Sequence, residues 1–145
     1  MTQSHFNKLR NMYLQANINT MIFDTTTCEI SQKKSEISLN ITEKYYHALG
    51  AIHGSVYFKL LDDAAFFAAS SVVKDVFLLT TSFTINITKP VSRGVIKAFG
   101  NMRFESSNLI VAESSLYNED GKEIAFGTGN FRKSKILLKD TKGYL

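Results

Sequence analysis

At 145 residues, 44% of them apolar and with one proline and no tryptophan, the chain is long enough for one domain with a substantial core, and it shows no low-complexity stretch or repeat of solenoid length. A single cysteine, Cys28, excludes an intramolecular disulfide and a cysteine-rich metal site, and no segment reaches the roughly 18 apolar residues of a membrane span. The 17 Lys and Arg against 13 Asp and Glu give a net charge of +4, clustered only modestly at Arg132, Lys133 and Lys135 and without a nucleic-acid motif, so a solvated surface with no nucleic-acid or membrane partner is expected.

The first residues, Met1 to Lys8, are polar and mixed and lack the apolar run of a signal peptide, so a cytoplasmic location is expected. Phe6, Leu9, Met12, Tyr13 and Ala16 then recur at helical spacing behind Ser4 as a cap, predicting an amphipathic helix over about 4–16. His5 is assigned to the surface. Asp24 to Thr27 reads as a turn, and Cys28 and Ile30 alternate with polar residues. Gln32-Lys33-Lys34 turns a hairpin into the strand of Ile37, Leu39 and Ile41. From Gly54 to about Val73 apolar residues cover nearly every direction of a helix, which predicts a buried one.

Four strands complete the pattern. Phe77, Leu79, Phe83, Ile85 and Ile87 alternate with Thr80, Ser82, Thr84 and Asn86, and Lys89 to Gly94 turns the chain. Ile96 to Phe104 follows, with Gly100 as a bulge or a point of close approach. Leu109 to Tyr117, a hairpin turn at 118–121, and Ile124 to Phe131 finish a four-stranded antiparallel meander. The core is expected over about 20–133, with a polar, fraying tail at 134–145. Helix, hairpin, long helix and meander argue an α+β fold in which a curved antiparallel sheet wraps a central helix.

The chemistry concentrates in residues 53–62. His53-Gly54 opens the long helix, and Asp62 falls about two turns inside it among Leu, Phe and Ala. Burying a carboxylate is costly, and such groups are enriched at functional sites. A helix N-terminus offers unpaired N–H groups to developing negative charge. Donors for an oxyanion and a base or nucleophile for a carbonyl carbon are what acyl transfer requires. Gly54 equally permits the turn into the helix. No Gly-x-Ser-x-Gly elbow is present, and His47 and His53 lack a third metal ligand nearby in sequence, so a serine hydrolase and a metal site are set aside.

This layout resembles the hotdog fold, and the run His47-Ala48-Leu49-Gly50-Ala51-Ile52-His53-Gly54-Ser55 followed by Asp62 resembles the acyl-CoA thioesterases of that fold, typified by phenylacetyl-CoA and 4-hydroxybenzoyl-CoA thioesterases. Their pattern is Asn-x-x-Gly-x-x-His-Gly-Gly, then an acidic residue on the central helix. Here His47 replaces the Asn and Ser55 the second Gly. The resemblance implies Asp62 as base or nucleophile, Gly54 N–H as oxyanion donor and His47 as a positioning group. It makes Ser82 a hydroxyl that orients water near the carboxylate, unless Ser82 faces solvent. His53 is expected to fix the loop, Ser55 to keep a backbone donor, and Asp63 to be structural. CoA is part of the substrate, and no separate cofactor is implied.

Gly54 and Asp62 lie roughly 12 Å apart along one helix, too far for one carbonyl group to meet both. The mechanism therefore calls for a homodimer with shared sites, which the resemblance also implies, with tetramers common. An acyl-CoA-binding sensor without catalysis, and a dehydratase of the same fold, are the alternatives. Tyr57, Phe58, Phe66 and Phe67 are assigned to the core in preference to an acyl pocket. Lys89, Arg93, Arg103 and Arg132 are candidate phosphate contacts.

Overall fold

The structure, a computed structural model, describes residues 3–145. Helices α1 (Gln3–Gln15) and α2 (Asn17–Met21) lead into strands β1 (Thr27–Ser31) and β2 (Lys34–Asn40). The long helix α3 (Gly54–Ser70) precedes β3 (Val76–Ile87), β4 (Val95–Glu105), β5 (Leu109–Tyr117) and β6 (Glu123–Leu137). All six strands form one antiparallel sheet in the order β1-β2-β4-β5-β6-β3, against which α3 packs. The fold is α+β, as the sequence pattern implies.

A lane of small residues sets the depth of α3. Ala64, Ala65, Ala68 and Ala69 are fully buried, and so are Ala98 and Ala112 on the sheet. At Gly100 a Cβ would fall 2.1 Å from the Ala64 carbonyl oxygen, so only glycine lets the strand pass that close. Gly100 is thus the close approach and not a bulge; the bulge in β4 lies at 102–104. Two serine hydroxyls reach up from the sheet, Ser35 to the Ala64 carbonyl at 2.5 Å and Ser114 to the Leu61 carbonyl at 2.7 Å. These bonds bracket Asp62 and fix the rotation of the helix that carries it.

Several expectations are corrected. The last four strands are not a simple meander: β3 pairs with β6, and β4 pairs with β2. The alternation of side chains sets which face is buried but not which strand is the neighbour. The connection between β3 and β4 is held instead on the first turn of α3 and the loop before it, where Tyr57 Oη donates to the Lys89 carbonyl at 2.7 Å, Ile52 N–H to Val91 at 3.0 Å, and Tyr46 Oη to Ser92. Helix α3 stops at Ser70, short of Val73, and Ser4 lies inside α1.

His5 is buried, with its ring nitrogens 3.0 Å from the Ser70 carbonyl and 2.7 Å from Tyr144 Oη. The segment 134–145 is built into the fold. β6 runs to Leu137, Leu138 is buried, and Gly143 packs on α1 beside Met12. Polar composition concealed these anchors because one leucine, one tyrosine and backbone bonds suffice to dock a short tail.

Candidate functional site

The loop before α3 is tied at both ends. Tyr46 and Ile52 form an antiparallel bridge, His47 N–H donates to the Ala51 carbonyl at 2.9 Å, and Gly50 turns the chain with φ 78°. His53 caps the helix: its Nδ1 accepts the Ser55 N–H at 3.1 Å, and the Ser55 hydroxyl lies 2.8 Å away. His53 thus ties its ring to the first turn of α3. The Ser55 N–H, expected as a second donor, is occupied by this cap. Gly54 is the first helical residue, so its N–H has no acceptor within the helix.

His47 is exposed, and its Nδ1 accepts from Leu49 N–H at 3.1 Å. In the neutral ring this leaves the proton on Nε2, a donor. His47, Gly54 and Tyr57 line a depression of about 310 Å³ together with Ile87 and Lys89. Of the four cations considered for phosphate contacts, Lys89 lines this depression, whereas Arg103 pairs with Glu113 at 3.6 Å on the surface.

Asp62 faces elsewhere. It is half-buried in the wall of a cavity of about 610 Å³ whose lining is mostly apolar, including Phe58, Phe66 and Leu78. Burial pushes its carboxyl up to about 6. Thr80 Oγ1 opposes that shift by donating to Asp62 Oδ1 at 2.9 Å, while the neighbouring Asp63 raises it and Lys59 lowers it. A carboxyl titrating near 6 is ionised at neutral pH yet retains the basicity to take a proton from water.

The resemblance points to Ser82, whereas the hydroxyl that reaches Asp62 is that of Thr80. The reason is a register shift between Thr80 and Ser82, where Thr80 pairs with Phe131 and Ser82 with Asn130. Leu78 and Thr80 face α3 before the bulge, and Phe83 faces it after, meeting Phe58 at 5.6 Å across the room left by Gly127 and Gly129. Ser82 is turned out and accepts from Asn130 Nδ2 at 2.6 Å. The same phase change buries Leu78 and exposes Leu79, the reverse of the simple alternation. Phe58, Phe66 and Phe67, assigned to the core, line the cavity. Tyr57 and Phe67 are buried.

Asp63 is engaged structurally, with Oδ2 2.7 Å from Lys59 Nζ and 2.5 Å from Tyr13 Oη. Among the described residues no three His, Cys, Asp or Glu side chains are grouped to hold a metal ion, and no helix is long and apolar enough to cross a membrane. His47 and Gly54 thus line one cavity and Asp62 and Thr80 another, and the two share no lining residue.

A six-stranded antiparallel sheet curved over a long central helix, with a His-Gly pair at the helix start and a carboxylate two turns on, defines a hotdog protein of thioesterase type. The thioesterase superfamily model matches residues 49–125, more than half of the chain, and the chain belongs to that superfamily. Among curated proteins it is 27% identical over 97 residues to SSO1253 of Saccharolobus solfataricus, a protein named provisionally as an esterase; the match covers 67% of this chain and 65% of the relative, so the chain spans just under two thirds of that protein.

Solved structures agree on the fold. The PaaI protein from the phenylacetic acid degradation operon of E. coli superposes with a TM-score of 0.82 at 16% identity, covering 92% of this chain and 96% of that one. A thioesterase family protein of Silicibacter pomeroyi gives 0.81 at 19% identity, covering 92% and 98%. A Q32A mutant of the thioesterase SAV0944 of Staphylococcus aureus gives 0.74 at 16% identity, covering 81% and 97%.

Proposed function

We propose that the chain hydrolyses acyl-CoA thioesters, at a site completed by a second copy of itself. Asp62 takes the proton from a water that attacks the thioester carbon, or attacks that carbon directly. The carbonyl oxygen, negative in the tetrahedral intermediate, accepts a hydrogen bond from the partner copy's Gly54 N–H, the donor left free at the start of α3. The thiolate of CoA then leaves and takes up a proton; where water attacked, the free acid is formed at once, and where Asp62 attacked, a water must still hydrolyse the acyl–Asp62 anhydride to release it. His47 Nε2 holds the substrate or water from the donor side, and Thr80 orients the carboxylate.

The observation that carries this reading is Asp62 itself: a half-buried carboxyl poised near 6, hydrogen-bonded by one threonine and open to an apolar cavity. Two copies are invoked because Gly54 and Asp62, roughly 12 Å apart on one helix, cannot both reach one carbonyl. Lys89, which lines the same depression as His47 and Gly54, is the cation this reading assigns to a phosphate of CoA.

The test is turnover of an acyl-CoA panel followed by free-thiol release. Activity in the wild type that Asp62→Asn abolishes supports the assignment. Unchanged turnover in Asp62→Asn sinks the role of Asp62, and tight binding of acyl-CoA without release of thiol makes the protein a binder.

A further inference from the structure

The cavity beside Asp62 has two polar sides. One is the Asp62–Thr80 pair facing β3; the other is a closed cluster where α1 and α2 meet α3. There Lys59 Nζ donates to Asn19 Oδ1 at 2.8 Å, to Asp63 Oδ2 at 2.7 Å and to Tyr13 Oη at 3.1 Å. Tyr13 Oη donates in turn to Asp63, and Asn19 Nδ2 donates to the Tyr13 carbonyl at 2.8 Å. The three ammonium donors are all used and the charges cancel, so this side offers no free cation to a ligand.

Asn19 is the one buried residue of helix α2. That residue is 3% exposed, whereas Ile18, Met21 and Ile22 are 48%, 75% and 49% exposed. Ile18 and Asn19 line the same cavity as Asp62. An acyl group with its carbonyl at Asp62 would share this cavity with Phe66, Ile18 and Asn19.

We propose that α2, pinned to α3 by the Asn19–Lys59 bond, is the end wall of the acyl site and limits the length of an uncharged acyl chain, with Ile18 and Asn19 as the residues that set the limit. This rests on the thioester reading of the site. A chain short of the wall gains apolar contact with each added carbon; one that reaches it must displace α2 or bend. A terminal carboxylate meets a lysine whose three donors are already used, and the Asp63 carboxylate.

The test is calorimetric binding of non-hydrolysable S-alkyl-CoA thioethers of increasing length, which needs no turnover. In the wild type, affinity should rise about fourfold per methylene and then stop rising at one chain length. Ile18→Trp should move that break to shorter chains, and Ile18→Ala and Asn19→Ala to longer ones. Ile18 is half exposed, so its variants report even where loss of Asn19 loosens α2. An ω-carboxyalkyl thioether should bind more weakly than its alkyl counterpart. A break unmoved by the Ile18 variants, or equal affinity for the carboxylate, overturns the inference while the thioester reading stands. A wild type that binds no thioether overturns both.

Discussion

In the proposed reaction, the pKa of Asp62 ties catalysis to stability at a single residue. Its carboxyl is held near 6 in the folded chain against 3.8 for the free group, so folding disfavours the ionised form. This contributes no penalty below pH 3.8, where both states are protonated, and a growing one as pH rises to about 6. Asp62→Asn should therefore lower kcat by about 10²- to 10⁴-fold. The same substitution should raise stability by about 1–3 kcal/mol at pH 8 and leave it unchanged at pH 3.5, as urea titrations at the two pH values would show. Because the Thr80 bond favours the charged carboxylate, Thr80→Val should move the rising limb of the kcat/KM pH profile to higher pH. A limb that stays in place in Thr80→Val would remove Thr80 from the site. Asp62 was legible because a carboxylate inside an apolar helix is anomalous in sequence. Thr80 was not, because a β-bulge is a property of strand pairing and leaves Thr80, Thr81 and Ser82 indistinguishable in the chain.

Between elements, the position of α3 depends on glycine and serine contacts from the sheet. Gly100→Ala would place a methyl 2.1 Å from the Ala64 carbonyl oxygen, where backbone must yield. It should cost about 1–3 kcal/mol, read as a lower urea midpoint at constant m-value, and reduce turnover by displacing Asp62. The helices and strands themselves were largely readable, since α3 and the half-buried strands have the periods their burial demands. The place of β3 at the sheet edge was not, because the connection through Lys89 and Val91 is held by bonds to Tyr57 and Ile52 that no local pattern announces. That crossing is also what brings Lys89 beside Gly54.

At the scale of the whole molecule, the proposed site is shared between two chains. The donor half at His47 and Gly54 and the acid half at Asp62 and Thr80 lie in separate cavities of one protomer. Gly54→Pro isolates the donor half. Proline is tolerated at the first helical position, and His53 already holds φ −63° and ψ 146°, suited to a residue before proline. The decisive measurement is thioesterase activity of Gly54→Pro and Asp62→Asn proteins, each alone and after co-refolding as an equal mixture. Each alone should be inactive, and the mixture should recover about a quarter of wild-type activity, since half the dimers are mixed and each of those holds one intact site. A mixture that forms mixed dimers yet stays as inactive as its parents would contradict the shared site.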